Sequence, residues 1–242
     1  MQNKSRPCNL FNNYEFLPLP SHIKSYSGKT DAMKLHLAAI ALATLVSQAA
    51  SAATIVNGSF EDTSPTDVFD TLGAGNGALT GWSIDSGSVD FIGSYWQAAA
   101  GANSLDMAGN ALGSISQLIT DLTIGVRYMV TFAMSGNPDG GTGPKSMLVN
   151  AGNLPDGTYE YTVTGANSHA LMKWEYKQFF FTASDTSELL TFSALPTNTT
   201  GSFFGPGLDD ISIAAVPLPA SAPLILAGLG ALAALRRRRN RA

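Results

Sequence analysis

Between Ala53 and Ala215 the chain carries sixteen Asp and Glu against four Lys and Arg (Arg127, Lys145, Lys173, Lys177), one histidine, His169, and no cysteine. That inventory limits the chemistry. Thiolate nucleophiles and His-rich metal sites are excluded. A Ser-His-Asp triad would need His169, which sits in the unpatterned run GANSHA. No GxSxG elbow occurs. Paired carboxylates can hydrolyse glycosides, but sixteen acids supply pairs by chance and no spacing singles one out. No catalytic residue is assigned, and the expectation is a non-enzyme without an organic cofactor. An acidic body also argues against nucleic acid, which needs Lys and Arg to replace phosphate counterions. It is compatible with neutral glycans, or with cations that neutralise carboxylates.

Binding is the more open possibility. Flat rings stack on the C–H face of a pyranose while nearby amides and carboxylates bond its hydroxyls. Tyr95, Trp96 and Gln97, with Asn103 and Asp106, form one such cluster in sequence, and Trp174 with Tyr176 forms another. The competing reading is that these rings belong to a core, as Trp82 does on its pattern. In LDDISI, ideal alternation puts Asp209 on a face with Ile211 and Ile213, and Asp210 on a face with Leu208 and Ser212. Either way a carboxylate lies on a partly apolar face, where its ionised form needs a counter-ion. GAGNGALTG (Gly73–Gly81) lacks the flanking strand and helix of a dinucleotide loop and reads as a plain loop, while in GGTGPKS (Gly140–Ser146) Pro144 separates Gly143 from Lys145 and no helix follows, unlike a phosphate loop.

The elements that must position these residues are strands. RYMVTFAMSG puts Tyr128, Val130, Phe132 and Met134 on one face, and LLTFSA groups Leu190, Phe192 and Ala194. KQFFFTA is β-rich on both faces. Further strands are expected at Ile55–Phe60, Trp82–Asp85, Val89–Ile92, Ser104–Met107, Ile115–Leu122, Ser146–Asn150, Tyr159–Val163 and Leu208–Ile213, with Gly, Asn, Asp and Pro between them. No stretch has a helical apolar period. The fold class is therefore all-β: an antiparallel β-sandwich of jelly-roll type over residues 54–215.

Both ends read differently. Residues 33–53, MKLHLAAIALATLVSQAASAA, have a basic start at Lys34, an apolar run and a small-residue Ala50-Ser51-Ala52 site. This predicts a signal helix cut after Ala52 or Ala53. Residues 1–32 are then an extension that is disordered or non-native, with Met33 as the initiator. Residues 216–242 begin with Val216, Pro217, Leu218, Pro219 and Ala220. An apolar run from Ala222 to Leu235 follows, and then Arg236, Arg237, Arg238 and Arg239. The apolar run is short for a span, which wants about 20 residues, but the arginines suit a cytoplasmic flank. The order of Pro box, apolar helix and Arg cluster resembles the VPLPA variant of PEP-CTERM sorting signals. That resemblance implies a single C-terminal transmembrane helix, removal by an exosortase-type membrane protease, and delivery to the cell surface or extracellular matrix.

NGSFE (Asn57–Glu61), GSVDFIGSYWQAAAGANSLDMAGN (Gly87–Asn110), SGNPDGG (Ser135–Gly141) and GPGLDDISI (Gly205–Ile213) together resemble the choice-of-anchor C family, related to DUF642 domains. The resemblance spans residues 55–214. It implies a galactose-binding-like sandwich, as in many carbohydrate-binding modules. In such sandwiches a structural Ca²⁺ commonly joins the first and last strands. By that resemblance Glu61 and Asp209, with carbonyls near Asn57 and with Asp210 as a weaker candidate, would hold one Ca²⁺. The first functional expectation is an exported, surface-anchored, non-enzymatic module that binds extracellular or cell-wall polysaccharide. A structural matrix or biofilm protein without a sugar site stands second, and a glycan-active hydrolase third.

Overall fold

The computed structural model describes residues 53–152, 157–196 and 203–217, with Gly230, 236–237 and 239–240. The chain divides into Met1–Ala49 and Ala50–Ala242, and the described residues lie in the second unit. The expected extension, the expected signal segment before Ala53 and most of residues 216–242 therefore fall outside the described residues. Among the described residues no helix is long and apolar enough to cross a membrane.

Among the described residues eleven strands follow in chain order: β1 (Phe69–Gly73), β2 (Ser83–Ser86), β3 (Ser88–Ile92), β4 (Ser104–Asp106), β5 (Ser114–Ile119), β6 (Arg127–Gly136), β7 (Gly143–Ala151), β8 (Gly157–Val163), β9 (Glu175–Thr182), β10 (Glu188–Leu195) and β11 (Pro206–Ala215). They form two antiparallel sheets. One is six-stranded in the order β1-β3-β4-β11-β6-β9, and the other is five-stranded in the order β2-β5-β10-β7-β8. The all-β sandwich expectation holds. The alternation read in β6 sends Tyr128, Val130, Phe132 and Met134 inward, where they are fully buried. They meet Leu190 and Phe192 of the other sheet, and the Phe132 and Phe192 rings sit edge to face at 5.3 Å. Burial of these side chains, at about 1.5–3 kcal/mol each, is what holds the sheets together. Trp82 lies in the same core, 6.0 Å from the Phe192 ring.

Two local expectations are corrected. Residues Ile55–Phe60 form a turn and not a strand: Asn57 and Phe60 have φ of 50° and 59°, and the Phe60 amide donates back to the Asn57 carbonyl at 3.2 Å. A strand was missed at β1. Alternation also fails inside β11, because Asp209 pairs with Ala133 and Ser212 with Thr131, which leaves one residue more on β11 than on β6. Asp210 takes φ of 46° at this bulge. Leu208 and Ile211 consequently both enter the core, while Asp209 faces the other way. The two ends of the domain meet at the bulge. The Ile211 amide donates to the Gly58 carbonyl at 2.9 Å. A Cβ at Gly58 would collide with the Ile211 carbonyl oxygen, so only glycine permits the approach. At the far end of β11, Val216 still donates to the Arg127 carbonyl at 2.8 Å. Pro217 has no N–H to continue the ladder.

The outer face of the six-stranded sheet is largely covered. Ile92, Trp96 and Met172 form a second small core there, with Phe69, Tyr95 and Trp174 packed around it. These side chains come from the sheet, from the β3–β4 connection and from the β8–β9 connection.

Candidate functional site

Register places a polar row across the outer face. Thr71 pairs with Asp90, Asp90 with Asp106, Asp106 with Gly207, and Gly207 with Ser135. Asp90 and Asp106 are therefore directly opposed neighbours, a pair that sequence spacing could not single out. Their environments differ. Thr71 Oγ1 donates to Asp90 Oδ1 at 2.6 Å, and Asp90 stays half-buried. Asp106 is fully buried. Its Oδ2 accepts from Asn137 Nδ2 at 2.7 Å, and its Oδ1 accepts from the amides of Ala108 and Gly205, each at 2.9 Å. Burial pushes the Asp106 carboxyl up to about 7 despite those three donors, and burial also raises Asp90. Lys145, also fully buried, is lowered by burial, and the Asp106 charge opposes that shift.

Above this row lies a cavity of about 240 Å³, walled by Phe69, Asp90, Tyr95, Asn110, Asn137 and Asp139 among others. Its rim is clasped by one carboxylate. Tyr95 Oη donates to Asp139 Oδ2 at 2.7 Å, and His169 Nε2 lies 2.9 and 3.0 Å from the two Asp139 oxygens. Hydrogen bonding to Asp139 pushes the Tyr95 phenol up to about 12. Three loops thus converge on Asp139, which is set by a short 3-10 turn, Pro138–Gly140, capped by the Asn137 side chain. The Tyr95 ring lies 5.1 Å from Phe69 and 4.4 Å from the His169 imidazole.

The aromatic candidates separate by burial. Tyr95 is half-exposed and lines the cavity. Trp96 is only 4% exposed, and its Nε1 donates to Ser104 Oγ at 2.8 Å. It forms the floor and no open platform. Gln97 is exposed, but its backbone ties loops together: its amide donates to the His169 carbonyl, and its carbonyl accepts from Trp174 Nε1 at 2.9 Å. Asn103 is buried and clamps the Phe60 and Thr63 carbonyls at 3.1 and 2.9 Å. Trp174 lies over Gly207. Tyr176 is 58% exposed, away from the cavity, and donates to Asp210 Oδ2 at 2.7 Å. Sequence reading missed Phe69, Asp90, Asn110, Asn137, Asp139 and His169 as neighbours. The available signals were an acid on the polar face of SVDFI and the turn-forming NPDG.

Glu61 and Asp209 do reach one place, the 98–103 loop. Glu61 Oε1 accepts the amides of Ala102 and Asn103 at 2.9 and 2.7 Å. Asp209 Oδ2 accepts those of Ala99 and Ala100 at 2.8 and 3.0 Å, and its Oδ1 accepts its neighbour Asp210's amide at 2.6 Å. Backbone donors thus supply much of the compensation that a counter-ion was expected to provide. Burial still pushes Asp209 up to about 7. Asn57 is occupied in its turn, accepting the Asp62 amide and donating to the Thr80 carbonyl, while its own carbonyl accepts Trp82 Nε1. Asp210 turns to Tyr176. Among the described residues no three acidic or imidazole side chains form a metal-sized group, so a cation here would be held by Glu61, Asp209 and carbonyls. Of the residues expected to form a sorting signal, Val216, Pro217, Arg236, Arg237 and Arg239 are described, and those three arginines are exposed. Leu218, Pro219, Ala220 and Arg238 lie outside the described residues.

A family model, the protein of unknown function DUF642, matches residues 53–214. The chain belongs to the DUF642 family. This DUF642 domain is also 33% identical over 183 residues to Halomucin of Haloquadratum walsbyi; the match takes in 71% of this chain and spans only 2% of that protein. Solved structures similar to it include TmCBM61 in complex with β-1,4-galactotriose (18% identity, 66% of this chain and 96% of that one, TM-score 0.39). The CBM22-1 xylan-binding domain from Paenibacillus barcinonensis Xyn10C is another (18%, 65% and 99%, TM-score 0.38). A cyclase from Fischerella sp. TAU is a third (15%, 70% and 100%, TM-score 0.45). At this level of likeness no ligand carries over, and the DUF642 site is read from its own residues.

Proposed function

We propose that the chain is an exported, surface-anchored, non-enzymatic β-sandwich that binds extracellular or cell-wall polysaccharide in the cavity on the outer face of its six-stranded sheet. The observation that carries this is the cavity wall, where the Tyr95 and Phe69 rings stand beside Asp90, Asn110 and Asp139. Apolar surface beside convergent polar groups is the general character of a small-ligand site. At about 240 Å³ the cavity is smaller than the roughly 300–1,000 Å³ of drug-sized sites, which suits one sugar ring at a chain end better than a long segment.

The non-enzymatic reading is supported by Asp106. It opposes Asp90 across the β3–β4 ladder, yet it is sealed from solvent and both its oxygens are occupied. Export and anchoring rest on the signal-like segment 33–53 and on the choice-of-anchor C and VPLPA resemblances, with an exosortase-type protease as the processing partner and the C-terminal helix as the membrane anchor before processing. Calcium enters as a structural ion shared by Glu61 and Asp209. Their convergence on one loop supports this, as does Asp209's burial, because a cation would restore its ionised form. The structural-matrix alternative draws support from Tyr176 and Phe180, 58% and 40% exposed on the outer face of the edge strand β9.

Affinity electrophoresis through gels containing a panel of neutral, basic and acidic polysaccharides tests the proposal. Retardation by at least one gel is expected, weakened by Asn110→Ala and Tyr95→Ala and unchanged by Tyr176→Ala. Free migration in every gel, or retardation lost only with Tyr176→Ala, would overturn the cavity as the site.

A further inference from the structure

We propose that the cavity prefers a cationic sugar, the free-amine end of a hexosamine chain, over neutral and anionic sugars. This rests on the carbohydrate-binding reading of the same cavity and adds the charge class of its ligand. Two carboxylates, Asp90 and Asp139, line the cavity with the amides Asn110 and Asn137, and among the described residues no Lys or Arg is in its walls. A third carboxyl, Asp106, stands in register beside Asp90.

The three acids are not equivalent. Asp139 is held by His169 and Tyr95. Asp106 is held by Asn137 and two amides, and its charge acts on Lys145. Asp90 differs: Thr71 serves its Oδ1, and its Oδ2 has no hydrogen-bond donor among the described residues. A half-buried carboxylate with one open oxygen, next to a second acid, gains more from an ammonium than from a hydroxyl, because a charged donor makes the stronger bond. Burial raises Asp90, and a cation at its open oxygen would favour the charged form. A uronic acid would bring a further negative charge to this wall and to the acidic body around it. The ring itself would lie against Tyr95 and Phe69, whose side chains supply the apolar wall.

The test is calorimetric titration of the full chain with three tetramers: β-1,4-linked glucosamine, its fully N-acetylated counterpart, and galacturonic acid. The glucosamine tetramer is expected to bind at least about tenfold tighter than the acetylated one, as one charge-assisted bond implies, and to weaken as salt is added. Asp90→Asn should abolish that preference, whereas Asn110→Ala should weaken both ligands alike. Comparing the two ligands on the wild-type chain needs no variant, so a misfolded mutant cannot hide the answer. Equal or tighter binding of the acetylated or anionic tetramer would overturn the charge preference and leave the carbohydrate-binding reading standing. Failure of these tetramers, and of every polysaccharide gel, to bind would overturn both.

Discussion

Lowering the pH from 8 to 5 should stabilise this domain, the reverse of the usual acid response. Asp106 and Asp209 are both fully buried, and burial lifts each carboxyl from 3.8 to about 7. A carboxyl raised on folding binds its proton more tightly in the folded state than in the unfolded one. Its contribution to stability is therefore complete below the unfolded value and is lost as pH rises through the folded value. Across this pH window the linkage amounts to roughly 2–3 kcal/mol per group, or about 5 kcal/mol for the two. Asp90, raised in the same direction, adds with the same sign. In a domain of this size, ~2–4 °C per kcal/mol implies a rise in melting temperature of roughly 10–20 °C. Calorimetric melts at half-unit pH steps measure it. Saturating calcium should flatten the share of the curve that belongs to Asp209, because a bound cation holds that carboxylate ionised at both ends of the window. Stability that declines steadily from pH 8 to pH 5 in chelator would refute the reasoning, since it would mean that the amide donors around the two acids outweigh their burial.

Chelation by itself should lower the melting temperature at pH 8 if Glu61 and Asp209 share an ion, and an unchanged melt after exhaustive chelation rules that ion out. Trp96→Ala removes a nearly buried ring and orphans Ser104. It should cost about 3–5 kcal/mol in urea unfolding, and a loss of sugar retention without that destabilisation would show the ring to be a binding platform after all. Gly58→Ala forces a Cβ into the Ile211 carbonyl at the junction of the two chain ends. A loss of more than about 2 kcal/mol is expected in the same assay, with amide exchange accelerating first at Ile211, whose proton Gly58 accepts.

Much of the architecture was legible because period-two alternation is a local property. Tyr128, Val130, Phe132 and Met134 announce a buried face whatever the rest of the chain does, and each is buried. Alternation gave no warning of the bulge at Asp210, because the extra residue is defined only against the partner strand. The Ile55–Phe60 error has the same origin: its apolar residues suit a strand, but Gly58 is needed as a turn that reaches β11. The aromatics show the limit for the site. Tyr95 and Trp96 are adjacent in sequence and alike in chemistry, yet one lines a cavity and the other is its sealed floor.

What the residues determined alone is the class of object: an acidic, cysteine-free, strand-built body, with the chemistry of thiols and histidine clusters removed from its reach. Tertiary structure decided which acids matter. Asp90 and Asp139 are ordinary surface letters in sequence, and only strand register and the meeting of three loops bring them to one cavity wall, with Asp106 in register beside Asp90. Burial and charge proximity are sums over every nearby atom. Most of those atoms come from segments far apart along the chain, so a site built from them has no local signature.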